Sequence, residues 1–273
     1  MIDILTAAFY LASAVAYLLY LFFQKERVQE AGYFLFGAGF AVHTLGLVVT
    51  SVQAGYLPVH NLRETLGLAA WAVALVFLFL RARYRIKVMG VYAAPLALLA
   101  FTAAMRVPDL PPTQPEAVYA NFWFFAHVIT IFLGEAALAM ACGAGILYIL
   151  QENAIKEKRR GFFYRRLPSL EQLDGMGYVS IIAGFSALTL GLVTGLLYSK
   201  IIWHRFISWD PKEVWSGISW VIYAVLLHER LVGGMRGRKA AWLAIAGFAV
   251  LLFTLFGVNF FMEGHHGEFT RFR

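Results

Sequence analysis

Histidine and tryptophan are the residues of this chain that could hold a metal ion or a flat cofactor, and the sequence has seven of each. His43, His127 and His228 fall inside long apolar stretches. An ionisable side chain in hydrocarbon is costly, so each of the three is a candidate functional residue. A neutral imidazole is tolerated more easily, and such a histidine can also serve only to bond a neighbouring helix.

Four of the tryptophans lie close together in the stretch that begins WHRFISWDPKEVW, and they are Trp203, Trp209, Trp215 and Trp220. Two interpretations of this stretch are open. It could start a helix at a membrane surface, with Asp210 as N-cap and Pro211 as first helical residue. Glu213 would then complete a capping box, and the indoles would form an interfacial belt. Alternatively, the indole faces could form a platform for a planar ligand.

The histidines suggest which planar ligand such a platform would suit. They divide into a pair within the membrane, His43 and His228, and a pair near one membrane face, His127 and His266. Zinc would need further carboxylate or thiolate ligands than this outer group offers. Haem iron needs only one or two imidazoles and an apolar slot for the porphyrin. Basic residues that could meet the haem propionates are Arg63, Lys200, Arg205 and Lys212.

The elements that would position these residues are transmembrane helices. The chain is 60% hydrophobic and 14% charged, whereas a soluble domain is about 25% charged. Apolar runs of about twenty residues recur along it. We therefore predict an all-α polytopic membrane protein, one integral membrane domain over residues 1–273 with a platform at residues 203–220 between the sixth and seventh spans. The eight predicted spans are Ile2–Phe23, Ala31–Ala54, Leu62–Leu80, Val88–Met105, Ala120–Leu150, Met176–Ser199, Val214–Val232 and Ala240–Met262.

The lysines and arginines predict how these spans are oriented. All but seven of the 23 lie in the connections between spans 1–2, 3–4, 5–6 and 7–8. Because basic connections stay in the cytoplasm, both termini and the tryptophan-rich stretch are expected on the outer face of the plasma membrane. These connections also explain the net charge of +7 without a nucleic-acid partner. The seven exceptions are Arg63, Arg106, Lys200, Arg205, Lys212, Arg271 and Arg273.

Two small residues in the sixth span predict helix packing. Gly191 and Gly195 stand four residues apart, a spacing typical of close contact between transmembrane helices. We therefore expect another helix to pack against this side of span 6.

Cys142, the only cysteine, lies in an apolar run, so an intrachain disulfide is excluded.

The segment WDPKEVWSGISWVIYAVLLH resembles the tryptophan-rich (WWD) signature of haem-handling proteins. Within that group the chain is similar to the CcsA/ResC type of system II cytochrome c biogenesis. Further segments resemble the family in the same order, namely HTLGLVVTSVQAGYLPVHNLRETL, FWFFAHV, GFSALTLGLVTG and FGVNFFMEGHHGEF. The first of them carries the family's Gly-x-x-Pro-x-x-Asn-x-x-Glu loop, here Gly55, Pro58, Asn61 and Glu64.

The resemblance implies a role for each candidate residue. His43 and His228 would receive haem within the membrane, and His127 and His266 would be the axial ligands of haem b presented outside. The residues that would form or border the platform are Trp203, Trp209, Asp210, Trp215 and Trp220. No catalytic residue is implied. The protein would be the membrane half of a cytochrome c haem lyase, working with a CcsB/ResB-like subunit, with thiol-reducing proteins and with an apocytochrome c that carries Cys-x-x-Cys-His.

The chain departs from the family pattern at several positions. His204 replaces a glycine and Ile207 replaces a tryptophan of the signature. His60 stands where Ser or Thr is common, and Glu135 stands where an uncharged residue is common. These departures bear on the geometry of the haem site more than on haem handling itself. Separately, three other functions remain open: a haem chaperone that loads a carrier protein without ligation, a transporter of another solute, or a subunit that keeps its haem.

Overall fold

A computed structural model describes residues 1–84, 86–111, 116–157, 162 and 164–262 of the chain. Those residues contain helices and no strand. A 3₁₀ turn at Lys87–Met89 precedes α4, and a π-helical turn at Phe253–Gly257 joins α9 to α10. The α-helices are α1 Ile2–Phe23, α2 Glu26–Ala54, α3 Leu62–Tyr84, α4 Gly90–Arg106, α5 Glu116–Tyr119, α6 Phe122–Lys156, α7 Leu170–Trp203, α8 Pro211–Leu231, α9 Arg238–Leu252 and α10 Val258–Phe261.

Each predicted span coincides with a helix, and the all-α polytopic fold is confirmed. Seven helical segments in the described part of the chain are long and apolar enough to cross a membrane. The exception is α8, whose 21 residues carry charged side chains in both end turns. That α8 crosses the membrane therefore stays a prediction. Its charged end residues are Lys212, Glu213, Glu229 and Arg230.

The helices form two groups that meet along α6. In the first group α1 packs on α2 and α4, and α3 packs on α4, around fully buried rings such as Tyr10, Tyr17, Phe36 and Phe77. In the second group α6 packs on α7 and α9, while α8 packs on α7 and α9. Because α6 also packs on α3, it forms the centre of the molecule.

The α6–α7 contact is close because glycines line it. A Cβ on Gly134 would lie 2.9 Å from the backbone nitrogen of Leu188, so only glycine lets the two backbones approach this far. A Cβ on Gly191 would lie 2.6 Å from the Ile131 side chain. The helix packing predicted for the Gly191 and Gly195 side of this span is therefore confirmed.

The long helices connect at alternate ends of the bundle. The basic end holds the connections α1–α2, α3–α4, α6–α7 and α8–α9. The opposite end, here called the Trp209 end, holds the connections α2–α3, α4–α6 and α7–α8. At the basic end, Arg230 pairs with Asp174 at 2.9 Å, and the Asp174 carboxylate also accepts a hydrogen bond from the backbone of Gly237. Arg238 pairs with Glu152 at 2.7 Å. These bonds join the ends of α6, α7, α8 and α9. The candidate residues of the tryptophan-rich stretch lie at or near the opposite end.

Candidate functional site

The start of α8 has the cap that the sequence predicts, with one difference. Asp210 is the N-cap, its carboxylate accepts a hydrogen bond from the Lys212 backbone at 2.9 Å, and Pro211 is the first helical residue. Glu213 reaches two residues further back than a capping box would. Its carboxylate accepts hydrogen bonds from the backbone N–H of Ser208 at 2.9 Å and from the Ser208 hydroxyl at 2.8 Å. The start of α8 is therefore fixed to the loop that precedes it.

That loop, residues 204–209, is here called the Trp209 loop, and it displays apolar side chains to the surroundings. Trp209 is 77% exposed, and Phe206 and Ile207 are exposed as well. His204 and Trp209 both adopt left-handed backbone conformations, with φ of 56° and 58°. This conformation costs about 1–3 kcal/mol for a residue other than glycine, so the loop holds Trp209 outward against a local penalty.

The other three tryptophans of the predicted platform each pack against different neighbours. Trp203 is the last residue of α7 and packs edge-on against Tyr198, so it is helical and not part of the connection. Trp215 packs on Phe253 of the π turn at 4.6 Å between ring centroids. Trp220 lies further along α8, where its indole N–H donates to the Thr189 hydroxyl of α7 at 2.9 Å and its ring lies tilted against Phe185 at 5.4 Å. The platform at 203–220 thus remains a prediction.

Trp203 instead joins a row of aromatic rings that crosses the Trp209 end. The row continues through Tyr198 and Phe124 to Tyr119, and Tyr119 stacks on Tyr56 at 5.1 Å. The Tyr198 hydroxyl donates to the Val118 carbonyl at 3.0 Å. We call these five residues the aromatic row. It ties the end of α7 to the connections that precede α3 and α6.

His127 is half-buried between α6 and α7 and has a defined tautomer. Its Nδ1 lies 2.7 Å from the Gly191 carbonyl oxygen. Because a carbonyl only accepts, Nδ1 carries the proton, and Nε2 of the neutral ring carries the lone pair that could bind a metal. A Cβ on Gly195 would lie 2.7 Å from Nδ1, so the missing side chain at Gly195 makes room for the imidazole.

His43 is buried on the other side of the molecule, between α1, α2 and α4. Its Nδ1 lies 3.1 Å from the Tyr10 hydroxyl, and its ring packs edge-on against Phe101 at 4.7 Å. His228 is exposed on α8. Among the described residues no hydrogen bond or ring contact joins His43 to His228, because α2 packs on α1, α3 and α4 while α8 packs on α7 and α9. His266, the predicted partner of His127, lies outside the described residues.

The four basic residues predicted to meet the haem propionates differ in their contacts and in their exposure. Arg63 lies 3.4 Å from Asp3 in an exposed pair. Lys200 donates to the His204 carbonyl at 3.2 Å and lies over the Phe206 ring. Arg205 is exposed, and Lys212 points inward, where Glu135 and Asp210 attract it electrostatically. Lys200 therefore lies beside the Trp209 loop, and Arg205 is part of it.

A cluster at the same end of the molecule escaped the sequence analysis. His60, Glu64 and Asp109 place one nitrogen and two carboxylate oxygens within 4.8 Å of one another. Burial of His60 opposes its protonated form, but the Glu64 carboxylate, the Leu110 carbonyl and Asp109 outweigh that effect and raise the pKa of His60 above its ordinary value. Only His60 and Glu64 are close in sequence, as His-Asn-x-x-Glu, so that spacing was the available signal.

Glu135, another unexplained residue, lies on the wall of a cavity of about 120 Å³ between α3, α4, α6, α9 and the π turn. All the other residues that line this cavity are apolar. An apolar cavity of about 150 Å³ holds a molecule the size of benzene, so the space beside Glu135 suits a small apolar group.

Comparison with known proteins agrees with the resemblance read from the motifs. The sequence pattern of the family described as Cytochrome C assembly protein matches residues 59–266. A cytochrome c biogenesis protein CcsA of Chlorella vulgaris is 31% identical over 89% of this chain and 87% of its own length. Another CcsA, of Prochlorococcus marinus (strain MIT 9515), is 34% identical over 81% of this chain and 78% of its own length.

A solved structure shares the fold. The cytochrome c haem lyase CcmF superposes with a TM-score of 0.65 at 17% sequence identity, over 98% of this chain. This chain spans 47% of the length of that protein. At this identity the likeness shows the fold alone. The family match and the two relatives carry the conclusion: the chain belongs to the cytochrome c assembly protein family, and its resemblance to CcsA-type members is confirmed.

Proposed function

We propose that this protein binds haem b in the membrane and presents it at the outer face for covalent attachment to apocytochrome c. In this proposal it is the membrane subunit of a haem lyase in the bacterial plasma membrane. The observation that carries the proposal is His127, an imidazole with its Nε2 lone pair set by the Gly191 carbonyl, two to three helical turns below the end of α7. A neutral, oriented imidazole is what haem iron requires of a ligand.

The loop that follows α7 also supports this role. The Trp209 loop offers exposed Trp209, Phe206 and Ile207 to a flat apolar ligand, and Lys200 beside the loop and Arg205 within it could pair with carboxylates. His127 and His266 would bind the iron of the presented haem, with Trp203, Trp209, Asp210, Trp215 and Trp220 forming or bordering its platform. His43 and His228 would bind haem on its way from the cytoplasmic side.

The chemistry asked of the protein is mostly positioning. Each thiol of a Cys-x-x-Cys-His segment adds across a haem vinyl group, so a carbon–sulfur bond forms and the thiol proton moves to the other vinyl carbon. Electrons balance without an oxidant. Holding haem and apocytochrome together makes the encounter effectively unimolecular, which can contribute about 7–11 kcal/mol in favourable cases. The partner subunit, CcsB/ResB-like, and thiol-reducing proteins would keep the thiols available.

The test is the absorption spectrum of the purified protein, alone and with its partner subunit. We expect a Soret band with native protein, and a reduced or shifted band in His43→Ala, His127→Ala, His228→Ala and His266→Ala variants. Free imidazole should restore the band where a true iron ligand was removed. His60→Ser is the matched control, since it removes a histidine at the Trp209 end that the proposal does not use. A colourless native protein, or four variants with native haem content, would contradict the proposal.

A glycine pair gives a second test of His127 itself. In Gly195→Ala the new Cβ would lie 2.7 Å from His127 Nδ1, so the imidazole must move. In Gly184→Ala the new Cβ would meet the Leu138 side chain at 2.5 Å, in the same α6–α7 contact but away from His127. We expect only Gly195→Ala to shift the Soret band and to respond to imidazole. Equal spectra for both variants would argue against ligation by His127.

A further inference from the structure

We propose that His60, Glu64 and Asp109 form a binding site for a divalent first-row metal ion, best represented by zinc. The site lies at the Trp209 end, in two segments that are far apart in sequence. It is separate from the histidines that we assign to haem. The inference therefore stands or falls independently of the proposed function.

The fold holds the two segments together before any ion binds. The Asn61 side-chain amide donates to the Asp109 carboxylate at 3.1 Å and to the Leu110 carbonyl at 3.0 Å. The Asn61 side-chain oxygen accepts from the Glu64 backbone at 3.0 Å, which caps α3. Asn61 is only 1% exposed, so these bonds are shielded from water. The three candidate ligands are thus prearranged by a residue that does not itself bind the ion.

The His60 ring presents a nitrogen that lacks a hydrogen bond. Nε2 lies 2.9 Å from the Leu110 carbonyl oxygen and 3.2 Å from the Asn61 amide nitrogen. In the tautomer that donates to Leu110, the lone pair of the neutral ring is on Nδ1. Nδ1 is buried and makes no hydrogen bond, although it lies 2.9 Å from Glu64 Oε2. The His60 side chain is only 9% exposed. Nδ1 and Glu64 Oε2 are therefore close together without the alignment that a hydrogen bond needs. A cation between them could bind both atoms.

The ligand atoms match zinc in kind and nearly in spacing. Imidazole and carboxylate are both zinc ligands, and around a tetrahedral ion neighbouring ligand atoms lie roughly 3.3–3.5 Å apart. Here all three lie within 4.8 Å of one another. Three protein ligands leave a fourth position for water. Two carboxylates also offset the charge of a divalent ion, and oxygen ligands are disfavoured by soft ions that prefer thiolates.

The bound ion would hold the connection before α3 against the segment after α4. Tyr56 lies in the connection before α3, and its ring stacks on Tyr119, another member of the aromatic row. A metal ion here would therefore stiffen the end of the aromatic row opposite Trp203.

The test is zinc titration of the full-length protein in detergent, after treatment with a chelator, by isothermal calorimetry. We expect one tight site in the native protein, weakened by more than about tenfold in His60→Ser and in Asp109→Asn. Asp109 is exposed, so its variant should fold even if His60→Ser does not. Two controls should keep the site: Asp3→Asn, another carboxylate at the Trp209 end, and His127→Ala, which excludes zinc bound at the proposed haem ligand.

Thermal unfolding provides a second measurement. Zinc should raise the Tm of the native protein and of both controls, and should leave the Tm of Asp109→Asn unchanged. A native protein that binds no zinc would overturn the proposal, and so would His60→Ser and Asp109→Asn variants that bind zinc as tightly as the native chain. Neither result would affect the haem proposal, because His60→Ser is expected to keep its Soret band.

Discussion

The starts of α3 and α8 use the same local chemistry, yet the loops before them differ in exposure. Each helix begins after an Asn or Asp cap, and each has a glutamate three residues later that reaches back past the cap. Glu64 accepts from the His60 backbone at 3.0 Å, and Glu213 accepts from the Ser208 backbone at 2.9 Å. The residue before the first cap, His60, nevertheless has a side chain that is 9% exposed, whereas the residue before the second cap, Trp209, is 77% exposed.

The difference comes from what lies over each loop. The loop before α3 bonds to Asp109 and Leu110 and packs on Tyr119. In the described part of the chain, the hydrogen bonds of the Trp209 loop stay within it or go to the neighbouring ends of α7 and α8. A cap therefore fixes where a helix begins, while a second segment decides whether the loop is closed. The exposed Trp209 loop is suited to contact another molecule, whereas the covered loop before α3 is suited to hold the bundle together.

The largest expected effect is on the free energy of unfolding, compared between a variant of Tyr119, which covers the loop before α3, and a variant of Trp209. Tyr119→Ala removes a ring that is 2% exposed, so it should lower the free energy of unfolding by about 3 kcal/mol. Trp209→Ala removes a larger ring that is mostly exposed, so it should change the free energy of unfolding by less than about 0.5 kcal/mol. Unfolding in mixed detergent micelles measures both. Equal losses would mean that the Trp209 loop is packed.

The same Trp209→Ala variant should lose function while its stability holds. Because the indole is free to meet a porphyrin, its removal should reduce the yield of covalent cytochrome c with the partner subunit present. Tyr119→Ala serves as the opposite case, with a loss of stability that precedes any loss of product. An active and stable Trp209→Ala variant would remove Trp209 from the proposed platform.

An intermediate effect compares the two caps. Asn61→Ala should lower the free energy of unfolding by about 2 kcal/mol, because it removes the cap of α3 and also the bonds to Asp109 and Leu110. Asp210→Ala should cost about 1 kcal/mol, the usual value for a lost cap. If Asp210→Ala proved the more costly, the open loop would depend on Asp210 for more than the helix start.

The smallest effects concern partly exposed polar bonds. Ser208→Ala removes the hydroxyl that donates to Glu213 and should cost about 0.5–1 kcal/mol. Asp3→Asn breaks the exposed pair with Arg63, at 3.4 Å, and should cost about 0.2–0.5 kcal/mol. The same unfolding measurement applies. A loss above about 1 kcal/mol for Asp3→Asn would show that the pair is part of a larger network.

Much of the fold follows from local pattern. The bounds of α1 agree with the predicted first span, and Asp210 with Pro211 marks the start of α8, because apolar runs and caps act within a few residues. Trp203 was placed in a connection, but Lys-Ile-Ile-Trp continues α7 by another turn. No glycine, proline or capping residue marks a helix end after Ser199. The end of α7 is set instead by tertiary packing, which includes the contact of Trp203 with Tyr198.

The parts of the site that sequence reasoning missed depend on tertiary contact. The bond between Asn61 and Asp109 spans 48 positions, and the one between His127 and Gly191 spans 64, so neither spacing is visible in a single sequence. Zinc was set aside because the outer histidines lack nearby ligands in sequence. The two halves of the His60, Glu64 and Asp109 cluster meet only once α3 and α4 pack together.

The glycine-lined contact between α6 and α7 has a consequence for height above the lipid. The two helices have 35 and 34 residues, which makes a hairpin about 50 Å long. A hydrocarbon core of about 30 Å covers only part of that length, and an even division leaves about 10 Å protruding on each side. His127 lies in the second turn of α6 and bonds to Gly191 deeper on α7, so this long hairpin would carry it near the boundary between the hydrocarbon and the lipid head groups. A ligand held there is close to the reach of a water-borne polypeptide.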